Sequence, residues 1–186
     1  MPKLMIILGS VREGRIGAPI AEWVKRTAEA DGRFDIDYVD LAELALPMMD
    51  EPNHPRLKQY TKPHTLAWSE RVEAADGFFF IFPEYNYSFS APIKNAIDYL
   101  VAEWARKPVG LVNWGGNSGG TRAQAAIRPV LAALGMVPTR GSVEINFPQS
   151  QVEGGVFTPN EQQITVLQSQ LDELAKLDEL LTPLQG

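Results

Sequence analysis

The loop Gly9-Ser10-Val11-Arg12-Glu13-Gly14-Arg15-Ile16-Gly17 carries donors suited to a phosphate. It follows a short apolar run and opens a helix. The first N–H groups of a helix have no intrahelical partner, and its dipole favours an anion. Ser10 adds a hydroxyl, and Arg12 and Arg15 add guanidinium groups that make charge-assisted bonds to phosphate oxygens. A plain capped turn with two solvated arginines fits the same composition. Two better-known phosphate loops fail on residue type. Gly9 and Gly14 are set as in a P-loop, but Arg15-Ile16 stand where Lys and Ser/Thr would hold terminal phosphates and magnesium. Val11 stands where the dinucleotide fingerprint needs its second glycine.

A second loop, Phe82-Pro83-Glu84-Tyr85-Asn86-Tyr87-Ser88-Phe89-Ser90, combines aromatic surface with amide and backbone groups. That mixture suits a flat heteroaromatic ring with hydrogen-bonding edges, and a flavin is such a ring. An aromatic loop at a subunit interface has the same composition, and the two readings are compatible. A third loop, Trp114-Gly115-Gly116-Asn117-Ser118-Gly119-Gly120, allows close backbone approach to a ligand and could border the ring's pyrimidine side. Its Gly116-Asn117-Ser118-Gly119-Gly120 also matches the G-x-S-x-G elbow of a hydrolase. In that fold the base follows the serine in the chain, and no histidine follows His64.

The remaining side chains narrow the chemistry. The chain has no cysteine, which excludes disulfides, thiolate nucleophiles and iron-sulfur ligation, so any redox chemistry belongs to a cofactor. His54 and His64 lack the spacing of a helical metal pair, and no metal site is expected. The formal charge of −6 argues against a nucleic-acid or anionic membrane surface, which makes any anion site local. No apolar run approaches a membrane span, and the N-terminus lacks a secretory pattern, so the expected compartment is the cytoplasm.

These loops need elements that bring them together. Residues 3–8 and 77–82 read as strands buried on both faces, 34–39 as a more exposed edge strand, and 108–114 and 136–145 as two more. Helical spacing follows the first strand at Ile20, Trp23, Val24 and Thr27, and helices are expected over 66–75, from Ser90 to Leu100, over 122–134 with a kink at Pro129, and from Thr158-Pro159 to about Leu181. The segment 41–63 holds Pro47, Pro52, Pro55 and Pro63 and is expected to cover the sheet with at most a helical turn. Alternating strands and helices predict one domain over 1–186, an α/β doubly wound sandwich with a five-stranded parallel sheet. Ligands in such sheets bind beyond the carboxyl ends of the strands, where strand order reverses. The three loops follow the first, third and fourth strands.

Gly9-Ser10-Val11-Arg12, Pro83-Glu84-Tyr85-Asn86-Tyr87-Ser88 and Pro92-Ile93-Lys94-Asn95-Ala96-Ile97-Asp98 together resemble the NAD(P)H-dependent FMN reductase family, which includes quinone, azo-dye and chromate reductases. The resemblance runs to about residue 146 and implies a flavodoxin-like fold with strand order 2-1-3-4-5. It implies that Ser10, Arg12 and Arg15, Ile16 and Gly17 hold the FMN phosphate, while Pro83, Glu84, Tyr85 and Asn86 contact the isoalloxazine, mainly through backbone atoms. Many relatives have serine and asparagine where Arg15 and Gly17 stand. Gly115, Gly116 and Ser118 complete the expected cofactor set. No side-chain acid or base is expected, because flavin N5 accepts the hydride from NADPH or NADH. The acceptor is expected to be a quinone, an azo compound, free flavin or a metal oxyanion. The family implies a homodimer or homotetramer with the flavin near the subunit boundary. The alternatives are a flavodoxin-type one-electron carrier and a non-catalytic FMN-binding regulator.

Overall fold

The computed structural model describes residues 1–184. In chain order the main elements are β1 (Lys3–Leu8), α1 (Gly17–Asp31), β2 (Asp35–Asp40), α2 (Leu41–Leu44), α3 (Pro63–Glu73), β3 (Gly77–Tyr85), β4 (Ser88–Phe89) and α4 (Ala91–Asp98). They continue with β5 (Pro108–Gly115), α5 (Thr121–Ala133), β6 (Val137–Pro138), β7 (Val143–Asn146), β8 (Val152–Glu153), β9 (Val156–Phe157) and α6 (Glu161–Leu181). The parallel sheet has the order β2-β1-β3-β5-β6, with β7 also on β5 and β4 turned back on β3. This is the expected α/β flavodoxin-like arrangement, and its order reverses between β1 and β3.

The core follows from side-chain alternation along strands buried on both faces. Phe78, Phe80 and Phe82 of β3 face one cluster with Trp68, Trp104, Ile93 and Ile127, while Phe79 and Ile81 face the other with Ile20, Val24 and Leu171. The Phe80 and Trp104 rings meet edge to face at 5.8 Å. Each such aromatic buried contributes roughly 1.5–3 kcal/mol. One cluster lies beneath α3, α4 and α5 and the other beneath α1 and α6, so the sheet is held rigid from both sides.

Local signals set most boundaries. Gly32, at φ 75°, ends α1, and Asn160 and Gln163 form a reciprocal capping box that starts α6 two residues after Pro159 would. Pro129 lies inside an unbroken helical span, Thr121–Ala133. Ser90 stands at the N-cap of α4, but its hydroxyl does not cap the helix. It donates to the Gly9 carbonyl at 2.5 Å and so ties α4 to the loop after β1.

The Pro-rich segment has two short turns, α2 and a 3-10 turn at Pro55–Leu57, and packs Leu44, Leu46 and Tyr60 against the cluster that holds Phe78, Phe80 and Phe82. The buried Glu103 carboxylate anchors it, accepting from Tyr60 Oη at 2.8 Å and from Ser69 Oγ at 2.7 Å.

Two strands depart from expectation. β3 runs three residues further than 77–82 and turns into a hairpin with β4, pairing Glu84 with Phe89 and Tyr85 with Ser88. The fifth strand is broken into β6 and β7, both parallel to β5. At the break the buried Gln170 side chain of α6 donates to the carbonyls of Leu111 and Gly141, each at 3.1 Å. A side-chain amide there replaces a ladder bond that the irregular backbone at 139–142 does not supply.

Candidate functional site

A cavity of about 210 Å³ opens beyond the carboxyl ends of the strands, at the point where strand order reverses. Ser10, Arg12, Arg15 and Ile16 line one wall, Pro83, Glu84 and Tyr85 a second, and Gly115 and Gly116 a third. Nine of the twelve sequence-predicted residues therefore meet there. Gly17, Asn86 and Ser118 lie outside the lining: Gly17 beneath it, Asn86 in the hairpin turn, Ser118 against Glu84.

The first wall is a loop of unspent donors. No turn, cap or tertiary hydrogen bond among the described residues takes the N–H of Val11, Arg12, Gly17 or Ala18, and α1 begins without a side-chain cap. Ser10 is buried. Gly17 is fixed by close approach, because a Cβ there would lie 2.7 Å from the Trp114 ring. This seats the start of α1 directly on β5.

The two arginines are electrically different. Arg12 is exposed and forms no ion pair among the described residues. Arg15 instead makes a two-pronged ion pair with Asp40, with Nη1 to Oδ1 at 2.7 Å and Nη2 to Oδ2, and it also donates from Nη1 to the Ser10 carbonyl. The hydrogen bond from Arg15 to Asp40, set against burial, raises the guanidinium's already high pKa further.

The second wall ends in a tight turn. Asn86 and Tyr87 take φ of 49° and 69°, the left-handed pair that a two-residue hairpin needs. Asparagine tolerates this conformation, whereas tyrosine does so at a cost. The Arg122 guanidinium lies 4.1 Å from the centroid of the Tyr87 ring, giving that ring a cation–π contact.

Glu84 joins the second wall to the third. Its carboxylate accepts from the Arg122 N–H at 3.1 Å and from Arg122 Nη1 at 3.3 Å. Burial pushes this carboxyl up, but hydrogen bonds from Ser118, Arg122 and Ala123 outweigh it and hold it below its usual range. Glu84 is thus an ionised brace whose acid group is committed to the start of α5.

The third wall is shaped by what glycine omits. A Cβ on Gly115 would meet Gly120 N and Ser118 Oγ at 3.2 Å, and Gly120 at φ 99° has the Asn113 Cβ only 2.5 Å from where its own would stand. Asn146 Nδ2 holds the Gly116 and Asn117 carbonyls at 3.2 and 2.9 Å. The N–H groups of Gly116 and Asn117 enter none of the loop or tertiary bonds among the described residues.

A fourth wall, Phe147, Pro148 and Gln149, and the ring of Trp114 were not among the sequence-predicted residues. Phe147 is 54% exposed at φ 44°, on the loop after β7. The available signal was an aromatic-proline pair just past the last strand, the same strand-end position that marked the other loops.

These walls fit FMN. Free amides, the Ser10 hydroxyl and an unpaired Arg12 suit a phosphate within an acidic protein, and the glycine cradle with aromatic and backbone edges suits a flat ring. Among the described residues no group of three or more His, Cys, Asp or Glu could hold a metal ion, and no helix is long and apolar enough to cross a membrane.

Comparison with known proteins gives the same direction. The sequence profile of a family described as NADPH-dependent FMN reductase matches residues 2–149. An NAD(P)H-dependent FMN reductase of Schizosaccharomyces pombe is 38% identical, with 85% of this chain and 80% of that protein aligned. A probable NADPH:quinone oxidoreductase of Oryza sativa is 34% identical over 69% of this chain and 63% of its own. Among solved structures, a flavoenzyme NAD(P)H:(acceptor) oxidoreductase from Paracoccus denitrificans superposes with a TM-score of 0.76 at 24% identity, covering 97% of this chain and 99% of that one.

Proposed function

The chain belongs to the NADPH-dependent FMN reductase family and is an FMN-dependent oxidoreductase that draws on NADPH or NADH, and from that premise we propose which of its residues do the work and for which acceptors. The observation that carries the assignment is a cavity that joins unspent amides and Arg12 at one wall to a Cβ-free cradle at another. Ser10 and Arg12, with the backbone of Ile16 and Gly17, hold the phosphate, and Arg15 acts in the same loop. Pro83, Glu84, Tyr85 and Asn86 would present backbone edges to the ring, and Gly115 and Gly116 would border it with Ser118 behind them.

Bound FMN supplies the two-electron transfer from reduced nicotinamide to acceptor. The residues bind, orient and shield. The free N–H groups of Gly116 and Asn117 stabilise negative charge that develops near them, as fixed dipoles that need no reorganisation. Tyr85 and Phe147, both partly exposed, exclude water from the rim. No side chain is assigned as acid or base, since Glu84 is committed as a brace.

The acceptor is a small molecule. Quinones and free flavin are the favoured class, supported by the quinone and FMN reductases among the relatives, with azo compounds and metal oxyanions also suited to an open site. The chain works in the cytoplasm as one domain per subunit of a homodimer or homotetramer, and the exposed Tyr85, Tyr87 and Phe147 support a flavin near the subunit boundary.

The test is an absorbance spectrum of the FMN-reconstituted, desalted protein followed by anaerobic NADPH or NADH. Retained flavin that bleaches in one two-electron step, and recovers on adding a benzoquinone, supports the reading. Retained flavin that does not bleach points to a carrier or regulator, and loss of flavin on desalting removes the site assignment.

A further inference from the structure

We propose that Asp40 and Arg15 form a positioning pair that sets the phosphate-holding loop in its binding shape, with Arg15 serving the loop and not the phosphate. Asp40 stands at the carboxyl end of β2, 7% exposed, and is itself fixed because its Oδ1 accepts the Ala42 N–H at 2.9 Å as the cap of α2. Its two oxygens take both terminal nitrogens of Arg15, and Arg15 Nη1 reaches on to the Ser10 carbonyl. One guanidinium thereby links β2, α2 and the loop after β1.

The consequence is directional. In a trans peptide the carbonyl and the following N–H point in opposite senses. Holding the Ser10 carbonyl on Arg15 therefore turns the Val11 N–H the other way, where it has no partner among the described residues. Arg15 is electrically spent on Asp40, which leaves Arg12 as the cation of this loop for an anion. A loop ordered before the ligand arrives loses less freedom on binding, which raises affinity without a new contact.

This inference rests on the reading that the loop holds the FMN phosphate, and the experiment separates the two. Flavin-free full-length protein is titrated with FMN and with riboflavin, which lacks the phosphate, and quenching of flavin fluorescence gives each dissociation constant. Asp40→Asn keeps an acceptor able to cap α2, and Arg15→Lys keeps the charge but loses the fork. Each variant is expected to weaken FMN about tenfold and leave riboflavin unchanged, and the double variant to be no weaker than either single one.

Tighter FMN binding by Asp40→Asn would mean that the released guanidinium is a phosphate ligand, which overturns the proposal. Equal weakening of both flavins would reduce the pair to a general structural role and also overturns it. Equal affinity of the unsubstituted chain for FMN and riboflavin would instead overturn the phosphate reading itself.

Discussion

Arg12 and Arg15 lie three residues apart and differ electrically because, among the described residues, only Arg15 is ion-paired, with Asp40. Charge-assisted hydrogen bonds are worth about 1.5–3 kcal/mol each. Arg12→Ala is accordingly expected to weaken FMN binding on the order of tenfold or more and riboflavin binding little, as read from flavin fluorescence quenching. The sequence named both arginines as phosphate ligands because residue type and spacing are the same for the two. Glu84 has a similar history: its presence in the loop was visible, but its engagement with the start of α5 depends on a residue 38 positions away.

Elements deliver these residues to one place through backbone requirements that side chains cannot replace. The glycine-rich turn between β5 and α5 closes over Asn113, so Gly120→Ala places a Cβ against the Asn113 Cβ in a left-handed conformation. That substitution is expected to cost more than about 1 kcal/mol and to lower the FMN retained after desalting, measured by thermal melting and flavin content. The broken fifth strand makes the opposite use of a side chain. Gln170→Leu would leave the Leu111 and Gly141 carbonyls without that donor, at a cost of about 1–3 kcal/mol in urea unfolding. Both carbonyls lie along the sheet, away from the cavity lining, so the FMN dissociation constant of Gln170→Leu should stay close to that of the unsubstituted chain.

At the scale of the whole molecule, one carboxylate in the Pro-rich segment links folding to pH. Glu51 accepts the N–H groups of Thr61 and Lys62, each at 2.9 Å, and so closes the Pro-rich excursion. Partial burial pushes its carboxyl up, but the donors around it prevail and bring it from an ordinary 4.5 to about 2. A carboxyl depressed in the folded state binds fewer protons there than in the unfolded chain. Its stabilisation is therefore complete above pH 4.5 and is lost as pH falls toward 2. Unfolding measured across that interval should show stability falling with pH, and Glu51→Gln should flatten the fall. The same comparison at pH 7 should show the variant less stable.

The sequence by itself determined the class of fold, the positions of β1, β2, β3 and β5, and three of the four loops around the site. These rest on short-range signals: apolar runs buried on both faces, glycine and proline punctuation, and the polar turn that opens α1. Within those loops it identified nine residues that meet in the cavity. Tertiary structure decided the rest, because the deciding partners are distant in the chain. Asp40, 25 residues from Arg15, determined which arginine is paired. Gln170, 59 residues from Leu111, allowed the fifth strand to break. The turn after β7 reached the cavity only because β7 pairs with β5 in a register that puts Asn146 beside Gly115. Spacing along a chain fixes which groups are near neighbours in a helix or strand, but the neutralisation of a charge or the satisfaction of a carbonyl depends on what the completed sheet and helices bring against it.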